Sequence, residues 1–137
     1  MTFQEYQIKA GRTNAVLNKQ VCLNGQIQEK ISENLHMVLG MVTESAELAD
    51  VFKKNLAYGK IIDWVNIKEE IGDLMWYIAN FCTINNLDMD EILDINIKKL
   101  ETRYPEKFTE HNAIHRNLSA ERNTLEQFND YNDGSGY

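Results

Sequence analysis

The sequence predicts an all-α fold, a helical bundle of three to five helices with its core completed by oligomerisation. Apolar residues recur at helical spacing over long stretches of the chain. The 137 residues include a single proline and seven glycines, so few positions interrupt a helix. A hydrophobic share of 43% suffices for a core, although a thin helical layer of this size often completes its core by association. We expect one domain over residues 1–122 and a polar, disordered tail over residues 123–137.

The first two predicted helices are separated by a segment without a clear pattern. A short helix covers about residues 2–9 and is ended by Gly11. Residues 12–25 are polar with weak periodicity and no clear caps, so no structure is assigned to them. A long helix follows over about residues 28–56, and Gly59 fits its C-terminal stop.

The remaining helices have clearer boundary signals. Asp63 can cap a second long helix over about residues 64–83, which the Asn-Asn pair at residues 85–86 ends. A capping-box-like start opens a third helix over about residues 88–102, and Pro105 marks its end. A further short helix is expected near the C-terminus, to about residue 127.

Two acidic pairs with i,i+3 spacing are the most informative feature of the chain. Glu44 and Glu47 lie in the first long helix, whereas Glu70 and Asp73 lie in the second. Residues three apart share a helix face, so two such helices packed together would bring four carboxylates into one site. Oxygen ligands of this kind hold hard cations such as Mg²⁺. The alternative for either pair alone is a solvated polar face, because Glu is common in helices.

The apolar residues of the two helices predict how these acids are surrounded. In the first long helix we assign the main core face to Ile31, Leu35, Val38, Leu39, Val42, Ala46 and Ala49. A second apolar region surrounds Glu44 and consists of Met37, Met41, Leu48 and Val51. In the next helix the main stripe is Trp64, Ile67, Ile71, Leu74, Met75 and Ile78. Clustered acids framed by apolar groups repel one another and lose solvation, so a divalent metal is the simplest counter-charge.

Several cations and polar groups could meet an anionic ligand near these acids. Lys54 returns to the carboxylate face two turns after Glu47. Asn96, Lys99 and Arg103 share one face of the third helix at i, i+3 and i+7. Simple solubility explains exposed Lys and Arg equally well.

Tyr77 and Asn80 extend the acidic face of the second long helix. They follow Asp73 by four and seven residues, close enough to contact a nucleotide or to support the carboxylates. Core packing is an equal alternative for Tyr77. His111 and His115 have the i,i+4 spacing of a helical metal site, but no acid follows them at ligand spacing.

Charge and composition exclude several classes of partner. A net charge of −7 and the lack of a basic patch interleaved with aromatics argue against nucleic acid. No stretch of 18 or more apolar residues and no signal-like N-terminus is present, so we expect a cytoplasmic protein without a membrane partner. Cys22 and Cys82 lack metal-ligand spacing and are expected to be reduced, with Cys82 in the core.

The chemical types of the candidate ligands distinguish between two classes of helical metal site. A di-iron carboxylate bundle needs Glu-x-x-His on two helices, and here Glu47 and Asp73 stand where the histidines would be. An all-oxygen set favours Mg²⁺ or Mn²⁺. The sequence also lacks a glycine-rich phosphate loop, so any phosphates must be received through metal ions and a few local cations.

The order of these motifs resembles that of the MazG-like nucleotide pyrophosphohydrolases, an all-α nucleoside triphosphate pyrophosphatase group. The central signature is Glu44-x-x-Glu47, a 22-residue gap, and Glu70-x-x-Asp73. The similarity runs from about residue 3 to about residue 122. It also rests on the segments FQEYQIKAGRT, LADVFKK, EEIGDLMWYIA, NIKKLETRYPEKF and AIHRNLSAER.

The resemblance implies a hydrolase that splits a nucleoside triphosphate into a monophosphate and pyrophosphate. It implies the four acids as metal ligands, Lys54, Lys99 and Arg103 as phosphate contacts, and a homodimer or homotetramer. Two departures stand out: the family motif often begins with an acid where Thr43 stands, and the usual Asn-Arg-Asp is replaced by His-Arg-Asn at residues 115–117.

The sequence leaves two questions of function open. One acid, with Glu47 as the first choice, could take the proton of the attacking water, but the pattern does not assign that role. The alternative function is a helical module of the same descent that has lost catalysis. Retention of all four acids argues against it, since packing alone gives no reason to keep them clustered.

Overall fold

The computed structural model describes residues 1–127 as an all-α helical bundle with one small β-hairpin, which confirms the predicted fold class. The elements, in chain order, are α1 (Phe3–Gly11), β1 (Val21–Leu23), β2 (Gln26–Gln28), α2 (Glu29–Tyr58), α3 (Trp64–Ile84), α4 (Met89–Arg103), α5 (Glu110–Ile114) and α6 (Leu118–Glu126). Among the helices of residues 1–127, none combines the length and the apolar character needed to cross a membrane.

The chain divides into two units, one from Met1 to Met89 and one that starts at Asp90. The single domain over residues 1–122 stays a prediction. Helix α6 continues to Glu126, so residues 123–126 are helical and do not belong to a disordered tail. The rest of the predicted tail, from residue 128 onward, lies outside the described residues.

In the first unit, helix α1 begins with a complete capping box and packs on α3. The Thr2 hydroxyl accepts a hydrogen bond from the backbone N–H of Glu5, whose carboxylate accepts one from the backbone N–H of Thr2, both at 3.0 Å. Just beyond the end of α1, Thr13 accepts a 2.7 Å hydrogen bond from the indole N–H of Trp76 on α3. The N-terminal segment is thereby tied to the central helix of this unit.

The hairpin lies in and just after the segment to which the sequence assigned no structure. Its turn residues, Asn24 and Gly25, have φ of 51° and 76°, as a type I′ turn requires. The Asn-Gly dipeptide was therefore the signal that the sequence prediction missed. The backbone N–H of Val21 donates a 2.6 Å hydrogen bond to the hydroxyl of Ser32, which ties the hairpin to the first turn of α2.

The two long helices have the ends that the sequence predicts. Gly59, with φ of 64°, follows α2 in the left-handed conformation, and its N–H bonds to carbonyls of the last turn. Asp63 accepts hydrogen bonds from the backbone N–H groups of Val65 and Asn66 and so caps α3.

The predicted main core face of α2 is wrong. Ile31, Leu35, Val38, Leu39 and Val42 are between 44% and 60% exposed, and Ala46 and Ala49 are exposed as well. The buried face instead includes Met37 and Gly40 from the side that carries the acids. Helix α2 is apolar on two sides, and periodicity does not tell which side α3 covers within one chain.

Met37 on α2 and Ile67 on α3 are buried in the first unit. A hydrophobic cluster also lies among α1, α3 and the start of α4. Its buried members are Ala10, Ala79, Cys82 and Met89. Cys82 is thus a small core residue, as predicted, whereas Cys22 lies exposed on β1. Of the predicted α3 stripe, Trp64 and Ile71 are exposed.

In the second unit, a buried carboxylate holds two arginines. Glu121 on α6 accepts hydrogen bonds from both Nε and Nη2 of Arg103, the last residue of α4, with the Nε bond at 3.0 Å. Arg116 binds the same two oxygens at 3.2 and 2.7 Å. These hydrogen bonds lower the pKa of Glu121 to about 2, so the carboxylate is charged at neutral pH.

Candidate metal centre

Three of the four predicted acids come together where α3 packs on α2. Glu44 and Glu47, one turn apart on α2, and Glu70 on α3 each offer a carboxylate oxygen, and these oxygens lie within 4.8 Å of one another. Two ligand oxygens on opposite sides of a Mg²⁺ ion are about 4.2 Å apart. A small side-chain movement would therefore bring all three oxygens onto one cation.

The three carboxylates differ in exposure. Glu70 is only 6% exposed, Glu44 is half-buried, and Glu47 faces solvent. Asn66, one turn before Glu70 on α3, donates a hydrogen bond from Nδ2 to Glu70 Oε1. This amide orients the most buried acid, and sequence reasoning missed it although its i,i+4 spacing to Glu70 was visible.

The ionised carboxylates of this cluster repel one another. Burial raises the pKa of the Glu44 carboxyl, and the charges of Glu47, Asp73 and Glu70 raise it further. Asp73 is exposed and lies outside the group of three oxygens, but it is close enough to act on Glu44. A bound cation would relieve this repulsion, and the all-oxygen donor set suits a hard divalent ion.

Tyr77 occupies a notch in α2 beside this cluster. A Cβ atom added at Gly40 would lie 2.1 Å from Cε1 of the Tyr77 ring, so only glycine permits this approach. The ring also makes edge contacts with His36 and Trp76, at centroid distances of 5.9 and 4.9 Å. Burial raises the pKa of the Tyr77 hydroxyl, as do the charges of Glu44 and Asp73, which places Tyr77 near both acidic pairs.

Asn80 lies deeper in the first unit than its predicted role suggests. It is 1% exposed, and its Nδ2 donates a 2.9 Å hydrogen bond to the carbonyl of Trp76. Its Oδ1 is buried without a hydrogen-bond partner among the described residues. A buried acceptor of this kind is costly unless something donates to it.

An open cleft of about 560 Å³ adjoins the acids. Its lining includes Glu47 and Glu70 together with Asp50, Lys53 and Lys54. Both lysines pair with Asp50, and the hydrogen bond to Asp50 raises the pKa of Lys54. Lys54 therefore lies beside the carboxylates, where its spacing predicts. The spacing puts Lys53 at the edge of the main core face, but Lys53 also lines the cleft, and Asp50 was not predicted.

The three predicted contacts on α4 belong to the second unit. Lys99 donates a 2.6 Å hydrogen bond to Oδ1 of Asn96, so these two residues share a face as predicted. The guanidinium of Arg103 is bound to Glu121. A phosphate contact from Arg103 would require a ligand to compete with that carboxylate.

These features define an all-α protein with a three-carboxylate candidate metal centre between two helices. The family model of the MazG nucleotide pyrophosphohydrolase domain matches residues 32–108, more than half of the chain, and this range includes all four predicted acids. The chain belongs to this family, which confirms the resemblance found in its motifs. Comparisons with curated proteins and with solved structures give no match.

Proposed function

We propose that the protein is a metal-dependent enzyme that hydrolyses a nucleoside triphosphate to the monophosphate and pyrophosphate. The observation that carries this proposal is the convergence of Glu44, Glu47 and Glu70 beside a cleft that also contains two lysines. Family membership supports a nucleotide as the substrate class.

Glu44, Glu47 and Glu70 would hold Mg²⁺ or Mn²⁺, with Asp73 as a further ligand one turn along α3. The raised pKa of Glu44 supports this assignment, because charged acids in this position need a counter-charge. A metal ion held by these residues would neutralise phosphate charge and make water in the site more acidic.

The residues of the site would also have individual roles in the reaction. Glu47 is the exposed member of the three. During hydrolysis, instead of binding the metal, it would accept the proton of the water that attacks phosphorus, while the phosphoanhydride bond breaks and pyrophosphate leaves. Lys54, now paired with Asp50, would exchange that carboxylate for phosphate oxygens. Tyr77 would keep Glu44 half-buried.

Four further polar residues belong to the predicted set of substrate contacts. Asn80, Asn96, Lys99 and Arg103 remain proposed substrate contacts. One observation supports Asn80 as a substrate contact: its buried Oδ1 lacks a hydrogen-bond partner among the described residues. Arg103 would have to release Glu121, which already occupies its planar fork.

Chelation should stop the reaction. We expect EDTA to abolish turnover and Mg²⁺ or Mn²⁺ to restore it, with pyrophosphate as the product and no orthophosphate. Added metal should also raise the melting temperature, because it binds the native state preferentially. A screen of common and modified nucleotides, with separate assays for pyrophosphate and orthophosphate, tests both the reaction and the substrate. Full turnover in excess chelator would contradict the proposed site.

The exposed apolar residues of α2 support association of subunits. Residues at alternating steps of four and three form a seam along the whole helix: Ile31, Leu35, Val38, Val42, Ser45, Ala49, Phe52 and Leu56. This is the heptad spacing of helices that pack against other helices, and all eight residues are exposed. We propose that a second copy of the chain covers this seam in a homodimer or homotetramer.

A charge in the middle of the seam should dissociate the oligomer. Val38→Glu would bury an unpaired carboxylate at the proposed contact, which is strongly unfavourable. Light scattering coupled to size exclusion should give a multiple of 15.9 kDa for the wild type and a monomer for the variant. Ala57→Glu, which adds the same charge at an exposed position of α2 outside the seam, is the control and should leave the mass unchanged. A monomeric, fully active wild type would contradict this proposal.

A further inference from the structure

Two histidines outside the acidic cluster are stacked on the short helix α5 and its C-cap. The rings of His111 and His115 have centroids 4.4 Å apart and planes inclined by 24°. Both residues are exposed, one helical turn apart. This placement puts two imidazoles side by side at the surface of the second unit.

Hydrogen bonds at Nδ1 fix which nitrogen of each ring remains available. Nδ1 of His115 lies 3.1 Å from the backbone carbonyl of His111, and a carbonyl only accepts, so this nitrogen carries the proton. Nδ1 of His111 lies 3.4 Å from Oδ1 of Asn112. In the neutral rings the lone pairs are then on Nε2. Metal-binding histidines commonly have this arrangement, with Nδ1–H held by a carbonyl and Nε2 as the ligand.

We infer that His111 and His115 form a two-imidazole site for a divalent transition metal of the Zn²⁺ type, with water as the remaining ligands. Two nitrogens bound to one tetrahedral Zn²⁺ are about 3.4 Å apart. The ring centroids lie 4.4 Å apart, and both side chains are exposed, so rotation of the two rings can bring their Nε2 atoms to that separation on one ion. Imidazole selects Zn²⁺, Ni²⁺ or Cu²⁺ over Mg²⁺, so this site differs in chemistry from the acidic cluster.

The arginines near His115 are paired with a carboxylate. Arg103 lines a small cleft together with His115 and bonds to Glu121. The nearest basic residue in sequence, Arg116, directs its guanidinium to the Glu121 carboxylate. Helix α5 has only five residues, a length that is marginal without added contacts. A metal that bridges His111 and the C-cap residue His115 would connect the start of α5 to its end. The stability of α5 would then depend on the metal.

The test is a Zn²⁺ titration of the full chain in excess Mg²⁺, followed by NMR of the histidine ring protons. Signals of His111 and His115 should shift together with one dissociation constant. His111→Gln and His115→Gln should each weaken binding at least tenfold, while Glu106→Gln, which alters an exposed acid before α5, should not. Amide exchange within α5 should slow on adding Zn²⁺ in the wild type only. A shift of one ring alone, or a Zn²⁺ affinity that stays at the wild-type value in either histidine variant, would overturn the inference.

Discussion

Replacement of Glu44 by Gln should lower hydrolysis at least about a hundredfold and leave the metal-free protein as stable as the wild type or more stable. Gln keeps the shape of the side chain but removes one charge from a cluster in which burial and three neighbouring acids raise the pKa of Glu44. Turnover with saturating Mg²⁺ and thermal melts in EDTA measure the two effects separately. Glu69→Gln, an exposed acid beside Glu70, is the matched control and should change neither quantity.

The pH dependence of stability gives a second readout of the same substitution. Because the folded pKa of Glu44 lies above the ordinary value of 4.5, the native state holds this proton more tightly than the unfolded chain. Its contribution is therefore most favourable below about pH 4.5 and is lost as pH rises through the raised pKa. The metal-free wild type should show this loss, and Glu44→Gln should not. Activity that falls only in proportion to unfolding would assign Glu44 a structural role.

Gly40→Ala should destabilise the packing of α2 on α3 by about 1–3 kcal/mol or more. The added methyl would lie 2.1 Å from the ring of Tyr77, so the ring must leave its notch or the helices must separate. Because the Tyr77 ring lies beside Glu44, we also expect weaker metal binding. Urea denaturation with metal-free protein, and Mg²⁺ titration of the variant, measure these effects.

Gly72→Ala is the control for this experiment. Gly72 lies within α3, next to Asp73, and a Cβ atom there would have nothing within 4 Å. Alanine is the better helix former, so this variant should gain up to about 1 kcal/mol. Similar destabilisation by both substitutions would show that the contact of Gly40 with Tyr77 is not what holds the helices.

The ends of the two long helices could be predicted from single residues. Features that depend on contact with another helix could not be predicted in this way. The Asp63 cap and the Gly59 stop follow from single residues and were predicted. The exposed seam of α2 was assigned to the core because both apolar faces of that helix have the same period. The covered face is the one with the notch at Gly40, which an aromatic side chain from another helix fills.

The candidate site was likewise predicted only in part. Spacing alone predicted that acids of two helices meet, and three of them do. It did not predict that Asp73 lies outside the group of three oxygens, because spacing along one helix does not fix how far each residue lies from a second helix. Asn66 was missed because an amide carries no charge pattern. Helix α5 was missed because five residues are too few for a periodic signal.

The ion pairs of Glu121 make one side chain a junction between three separate chain segments. The end of α4, the turn before α6 and α6 itself meet at its two oxygens. A junction of this kind makes those segments depend on one another, so that loss of the single carboxylate releases all three together. The pKa of Glu121 is lowered from 4.5 to about 2. Its ion pairs are therefore fully present at any pH above 4.5 and are lost only as the pH falls towards 2. The ion pairs of Glu121 therefore stabilise the second unit at neutral and mildly acidic pH.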